Sequence, residues 1–265
     1  MTILVTGATG NVGRLVVDRL LAMGATGVRA LTNDPEKAAL PAEVEVVEGY
    51  IGRPQTVPAA LGGVERMYLA PLPETAREVA GMAKEADVER IVDLAGRGWW
   101  RRVEEAVEES GVAWTHLRPG EFMNNSLIWA PQIRTTRTVR DAYPGAANAP
   151  IDLDDIAAVA AVALLEGGYL GKAYELTGPE KVTRAEQVRL IGEALGEEIP
   201  FVELTREQAV EELTPVMGEY ASWYLDGKAE LVEDPQEPIP TVEEVTGRQA
   251  TTFAEWAIRH VEDFR

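Results

Sequence analysis

The sequence predicts an α/β protein: a doubly wound parallel sheet, followed by a small C-terminal α+β subdomain. Three observations predict it. Short strand-like runs at residues 2–6, 28–32, 44–48, 66–69, 90–94 and 112–117 alternate with helical stretches. The first run breaks into Gly7-Ala8-Thr9-Gly10-Asn11-Val12-Gly13 and then a helix. Beyond Pro119 the alternation stops and a loop-rich, proline-bearing segment takes over.

Residues 2–6 have the composition of a fully buried parallel strand. Val12, Leu15, Val16, Leu20 and Met23 recur at helical spacing, with Gly24 placed to cap the helix. A strand, a glycine-rich turn and a helix make a pyrophosphate cradle. Glycines let the backbone approach the phosphates, and the helix start offers free N–H groups and a positive dipole end. This reading makes Gly7, Thr9, Gly10, Asn11, Val12 and Gly13 dinucleotide ligands in a Rossmann unit. The spacing is GxxGxxG, not the commoner GxGxxG.

Residues 28–32 form the second strand, and 33–37 a turn opening a short helix, where the adenosine ribose is read. An acidic side chain there binds the ribose hydroxyls of NAD, and an arginine favours NADP. Asn33 holds the position, with Asp34 beside it and Arg14 and Lys37 as nearby cations. The cofactor expected is NADP(H), slightly favoured over NAD(H).

A third strand at 44–48 leads to a small helix at 54–61. The fourth strand ends in Ala70-Pro71, at the carboxyl edge of the sheet beside the cofactor. A helix at 75–86 precedes the fifth strand, which runs into Ala95, and a helix at 100–110 precedes the sixth, stopped by Arg118-Pro119-Gly120. Ala95 and Pro119 are read as further cofactor contacts. Residues 121–150 carry Phe122, Met123, Trp129 and Tyr143 with three prolines, the composition of a substrate wall. Then come an alanine-rich helix at 154–165, a strand at 173–177, Thr183 as N-cap of a helix at 184–195 with Glu186 in the capping-box position, and a strand at 201–204. Residues 207–225 and 253–261 read as helices, separated by an acidic linker at 232–240. We place residues 1–150 in an NAD(P)-binding domain. Residues 151–265 are expected to be mostly a substrate subdomain, with some return to the first domain.

Composition narrows the function. A net charge of −19 argues against nucleic acid and anionic membranes as partners. There are no cysteines, and the two histidines, His116 and His260, lie far apart, so no metal site is expected. Asp152, Asp154 and Asp155 read as acids favoured at a helix start. No stretch approaches the roughly 18–20 apolar residues of a membrane span. The first strand starts at Thr2, which predicts no signal peptide and a cytoplasmic protein.

Four segments carry a family resemblance: TGATGNVG at 6–13, TNDPEKA at 32–38, GVAWTHLRPGEFMNN at 111–125 and YELTGPE at 174–180. Over essentially its whole length the chain resembles the NmrA-like branch of atypical short-chain dehydrogenases/reductases, most of all its actinobacterial members. The resemblance implies a Rossmann domain with a small substrate subdomain. It implies either an NAD(P)H-dependent quinone or ketone reductase or a cofactor-binding regulator that does no chemistry. The chain departs from that pattern in four places. Asn33 stands where arginine is frequent, Tyr50 where aspartate follows the glycine near the adenine, and Ala95 where the fifth strand ends in serine. On the next helix, quinone reductases carry a histidine four residues before a glutamate and ether reductases a lysine; here stand Trp99-Trp100-Arg101-Arg102, with Glu104 after Trp100.

Classical short-chain reductases protonate the carbonyl oxygen with a Tyr-x-x-x-Lys pair. The chain has that spacing only at Tyr224 and Lys228, beyond the sheet, where we read it as accidental. Hydride transfer can rest on positioning, with the cofactor carrying the chemistry. Trp99, Trp100, Phe122, Met123 and Trp129 are candidates to wall a flat substrate, and Trp99, Glu121 and Phe122 are the substrate contacts selected. His116 shares a strand face with Trp114 and Arg118 and reads as a buried structural histidine. The function expected is an NAD(P)H-dependent reductase of a quinone-like small molecule or an aromatic or polyketide ketone. The competing reading is an NAD(P)-binding redox sensor.

Overall fold

The computed structural model describes residues 1–96 and 98–265. In chain order its elements are β1 (Ile3–Val5), α1 (Asn11–Ala22), β2 (Val28–Thr32), β3 (Glu45–Glu48), α2 (Pro58–Leu61), β4 (Arg66–Leu69), α3 (Ala76–Glu85), β5 (Arg90–Leu94), α4 (Arg101–Ser110) and β6 (Ala113–Pro119). There follow α5 (Ala130–Thr136), β7 (Val139–Asp141), β8 (Ala147–Asn148), α6 (Leu153–Leu165), β9 (Lys172–Leu176), β10 (Val182–Thr183), α7 (Arg184–Leu195) and β11 (Phe201–Glu203). The chain ends in α8 (Arg206–Met217), α9 (Tyr220–Glu233), α10 (Thr241–Thr246), α11 (Phe253–Arg259) and α12 (Val261–Phe264).

Two compact units divide these elements. The first takes Met1–Gly120, Leu153–Leu176 and Thr241–Arg248; the second takes Glu121–Asp152, Thr177–Pro240 and Gln249–Arg265. The chain therefore enters the second unit at Glu121, earlier than a boundary at residue 150, because Gly120 closes β6 by donating its N–H to the Leu176 carbonyl at 2.9 Å.

The first unit is a Rossmann-like sheet in the order β3-β2-β1-β4-β5-β6-β9, every pair parallel. The order reverses between β1 and β4, which opens a crevice at their carboxyl ends. On one face Leu4, Leu31, Met67, Leu69 and Ile91 join a core with residues of α3 and α4. α6 carries Ala, Val, Leu and Ile on every side, so it is buried nearly throughout and packs on α1, β4, β5 and β6. Its last carbonyls, which a helix end leaves without intrahelical partners, are taken up by two arginines. Arg66 donates to Leu164 and Leu165, and Arg90 donates to Ala163 at 2.6 Å and Glu166 at 2.5 Å.

The second unit pairs β7 with β11 in parallel and β8 with β10 antiparallel. Its core includes Trp129, Ile133, Val188, Ile191, Phe253, Trp256 and Phe264. A smaller cluster of Ala142, Leu204, Leu213 and Leu225 fastens α8 and α9. Thr183 caps α7 by accepting the Glu186 N–H at 3.1 Å, while the Glu186 carboxylate turns to Arg189.

Several local expectations change. Residues 207–225 are two helices, broken at Gly218, whose φ of +60° a helix cannot continue. The 33–37 turn leads into irregular chain without a helix. β6 runs through Pro119, because Pro119 still pairs with Leu176 on β9. The 121–150 segment is ordered into a 3-10 helix at Met123–Trp129, then α5, β7 and β8.

Candidate functional site

The crevice at the ends of β1 and β4 is built by short polar ties. Thr6 Oγ1 donates to the Tyr68 carbonyl at 3.0 Å and accepts the Ala70 N–H at 2.8 Å, locking the two strand ends together. Gly7 follows at φ +60°, and a Cβ there would stand 2.9 Å from the Ala70 Cβ. At Gly13, inside the first turn of α1, a Cβ would collide with the Gly7 carbonyl. Both positions therefore require glycine. α1 begins at Asn11 with Gly10 as N-cap and no side chain satisfying its first N–H groups. Thr9, Gly10 and Asn11 are exposed, while Val12 and Gly13 are buried against the turn. This is a glycine turn leading into a helix start with no side-chain cap, and it fits a pyrophosphate.

Beside the cradle lies a cavity of about 220 Å³ lined by Gly7, Thr9, Asn33, Tyr50, Ala70 and Pro71 among others. Thr9 and Thr32 hydroxyls meet at 3.3 Å, tying the glycine turn to the end of β2. Asn33 is exposed at this end. Asp34 accepts both the backbone N–H of Lys37, at 3.2 Å, and its ammonium, at 2.8 Å, so its charge is committed locally. Arg14 pairs with Asp18 and donates to the Ala39 carbonyl at 2.9 Å.

Further along the same edge, Ala95 donates its N–H to Leu117 at 2.9 Å. Ala95 is buried, and Pro119 is half-buried at the end of β6. Trp99 and Trp100 are 51% and 45% exposed, and the Arg102 guanidinium lies 4.3 Å over the Trp99 ring. Below them, His116 is fully buried. Its Nδ1 is 2.6 Å from Asp93, its Nε2 is 3.4 Å from Glu108, and its ring stacks on Trp114 at 3.9 Å. Burial opposes the imidazolium, but Asp93, Glu104 and Glu108 outweigh it and raise the His116 pKa. Burial pushes the Asp93 carboxyl up to about 6. Arg118 grips Glu104 with two bonds of 2.7 Å.

In the second unit Glu121 begins a buried polar cluster. It accepts from Asn148 and from the ammonium of Lys228, whose side chain is 7% exposed. Lys228 also lies 4.9 Å over the Tyr224 ring, and the Tyr224 hydroxyl accepts from Arg184 at 3.0 Å. Arg184 pairs with buried Asp141, which also accepts the Trp129 indole N–H at 2.8 Å. Burial pushes the Glu121 carboxyl up, but Lys228, Arg184 and Asn148 together hold it below its ordinary value. Glu121 is thus an ionised acceptor near neutral pH.

The family model described as NAD(P)H-binding matches residues 7–166. A (4-alkanoyl-5-oxo-2,5-dihydrofuran-3-yl)methyl phosphate reductase from Streptomyces griseus is 37% identical, over 99% of both chains. An NAD(P)H azoreductase from Xenophilus azovorans is also 37% identical, over 99% of both. The solved NADPH complex of an Escherichia coli quinone oxidoreductase superposes with a TM-score of 0.86 at 25% identity, covering 97% of this chain and 99% of that one. The chain belongs to the NAD(P)H-binding family. Within it, it falls in the NmrA-like group of atypical short-chain dehydrogenases/reductases.

For this NAD(P)H-binding protein the structure sorts the sequence-selected residues. Gly7, Thr9, Asn33, Ala70 and Pro71 come together around one cavity, with Gly10, Asn11, Val12 and Gly13 in the adjoining turn. Trp99 and Phe122 retain accessible surface, and Glu121 is half-buried. Met123 and Trp129, candidates for a substrate wall, are 1% and 2% exposed and belong to the second unit's core. Trp129 reads as exposed in sequence only because its polar partner, Asp141, is invisible there. Two features escape sequence reading altogether. One is Asp93 as the partner of His116, signalled only by an acid between Val92 and Leu94 on β5. The other is Glu121 joined to Lys228 across 107 positions. Among the described residues no group of three or more His, Asp or Glu side chains could hold a metal, and no helix is long and apolar enough to cross a membrane.

Proposed function

We propose that the chain is an NAD(P)H-dependent reductase of a quinone or of an aromatic or polyketide ketone, working without a conventional tyrosine–lysine proton donor. The observation that carries this reading is the cradle of Gly7, Gly10 and Gly13 against an uncapped α1, beside a cavity reaching Asn33 and Tyr50. The reductase names of the relatives in Streptomyces griseus and Xenophilus azovorans support it. When bound, the reduced nicotinamide supplies the hydride.

The chain's residues hold and orient. Thr9, Gly10, Asn11 and Val12 bind the pyrophosphate, Asn33 meets the ribose, and Ala70, Pro71, Ala95 and Pro119 line the path along the strand ends. NADP(H) is slightly favoured in this reading through Arg14 and Lys37, the cations nearest this end, which pair with Asp18 and Asp34. The second unit is the substrate subdomain, with Glu121 and Phe122 as its substrate contacts. Glu121, held ionised, accepts a hydrogen bond from substrate and donates no proton. Lys228 spends its charge on Glu121, which argues against the Tyr224–Lys228 spacing working as a catalytic dyad. Water or the substrate's own hydroxyl delivers the proton.

The test is purified protein with NADPH or NADH and a panel of benzoquinones, naphthoquinones and aromatic ketones, following oxidation of the dinucleotide. Turnover that survives Tyr224→Phe is the result expected. Binding without oxidation of any panel member would favour the redox-sensor reading, to which Ala95 in place of a hydroxyl already lends support. Loss of turnover in a folded Tyr224→Phe variant would refute the positioning mechanism.

A further inference from the structure

We infer that Tyr50 is the residue that recognises the adenine ring, and that it reads the face of the base and not its exocyclic amine. The inference rests on the dinucleotide reading above and adds how one end of the molecule is held. The geometry is confined to the first unit. In a sheet with this order, the pyrophosphate sits at the glycine turn after β1, the ribose at the end of β2, and the base beyond it, toward the end of β3. The cavity follows that line, running from Gly7 and Thr9 past Asn33 to Gly49-Tyr50-Ile51 and Leu72.

The cavity has few side chains with which to form hydrogen bonds to a base. Leu31, Ile51, Pro71 and Leu72 are among its apolar lining residues, and no carboxylate lines it. The Thr9 and Thr32 hydroxyls are paired with each other, and Asn33 lies at the ribose end. A pocket built to read an exocyclic amine would present an acceptor held in place, such as a carboxylate on the segment that follows β3. Tyr50 puts an aromatic ring there instead.

That ring is placed, not loose, although Tyr50 is 44% exposed. It packs against Gly52, where an added Cβ would collide with its Cε1 and come within 2.7 Å of its Cζ. Its backbone is pinned on both sides. The Tyr50 N–H donates to Thr56 Oγ1 at 2.9 Å, and its carbonyl accepts the Arg53 N–H at 2.8 Å. A ring held on glycine backbone at the rim of an apolar slot offers a π-face to a flat base. Stacking of this kind is indifferent to whether the base carries an amine or a carbonyl.

The experiment is calorimetric binding of NADPH and of its hypoxanthine analogue, in which the adenine amine is replaced by a carbonyl. Wild type, Tyr50→Ala, Tyr50→Phe and Tyr50→Asp are compared, each checked for an unchanged unfolding midpoint. Wild type should bind the two dinucleotides within about twofold of each other, since no acceptor is lost. Tyr50→Ala should weaken both by about 5–30-fold, and Tyr50→Phe should keep both within about twofold. Tyr50→Asp should create a preference of about fivefold or more for adenine over hypoxanthine, because a carboxylate accepts from the amine. Wild type that binds NADPH but discriminates against hypoxanthine by about tenfold, or a folded Tyr50→Ala that binds as tightly as wild type, would overturn the inference and leave the dinucleotide reading standing. Wild type that binds neither NADPH nor NADH would overturn the dinucleotide reading, and this inference with it.

Discussion

Lys228→Met should destabilise the protein by about 3–5 kcal/mol near neutral pH, the cost typical of removing one partner from a buried ion pair. The surroundings set the size. The Lys228 and Glu121 side chains are 7% and 20% exposed, so water cannot take over the solvation of an abandoned carboxylate. Asn148 still donates to Glu121, and Arg184 remains as a second nearby cation, which places the expectation toward the lower end. The pH dependence supplies a sign. In the wild type the Glu121 carboxyl is held low, so its contribution is present above the unfolded-state value and lost as pH falls through the folded one. Without Lys228 the largest influence holding the carboxyl down is gone, so it should titrate higher than in the wild type. The variant should then regain stability relative to wild type as pH falls toward about 5. Urea unfolding at about pH 7.5 and about pH 5 measures both effects. A second variant sharpens the test. Glu121→Gln combined with Lys228→Met should recover at least about 1.5 kcal/mol of the single loss, because no unpaired charge remains. A single-variant loss under about 1 kcal/mol, with a pH profile parallel to wild type, would refute the reasoning.

Three further outcomes follow from the first unit. Gly10→Val should weaken NADPH and NADH alike by about tenfold or more, since its side chain stands over the donors of α1. Its fold should survive, because a Cβ there meets only the Gly7 carbonyl, at 3.2 Å; unchanged calorimetric affinity would remove the cradle from the site. Asn33→Arg should shift preference toward NADPH by about 1–2 kcal/mol, one charge-assisted contact with the 2′-phosphate, read as the ratio of the two dissociation constants. His116→Gln should cost most at low pH. The raised His116 pKa means its stabilisation is complete below the ordinary value of 6.5 and fades as pH climbs through the folded value, so the wild-type advantage in urea should shrink from about pH 6 to about pH 9.

Much of the first unit was legible because local chemistry there agrees with the final packing. β2, β4 and β5 start and stop at the predicted residues, each a short, mostly apolar stretch followed by turn residues. α7 is announced by Thr183 and stopped by Gly196 in the left-handed region. The second unit was harder, since its contacts are distant in sequence. The break at Gly218 hides inside a helical pattern that continues on both sides, and Trp129 looks like a surface aromatic until Asp141 and Phe201 close around it. The Tyr224–Lys228 spacing shows the limit most plainly. Sequence gives the spacing but not Glu121, and Glu121 decides what Lys228 does with its charge.

The path of the chain has a consequence for synthesis and for dissection. The sheet of the first unit is finished by β9 and by the helix that buries α1, and both arrive only after the excursion through residues 121–152. A nascent chain that has emerged only as far as Gly120 holds six strands with an unfilled edge at β6 and an apolar face of α1 still uncovered. Such an intermediate has long-range contacts waiting on residues not yet made, the situation in which folding is slow and strand edges are vulnerable to association. For the same reason no single cut yields a self-sufficient dinucleotide-binding fragment. A minimal version needs residues 1–120 joined by a short linker to 153–176, followed by the 241–248 segment that packs on α6 and β9.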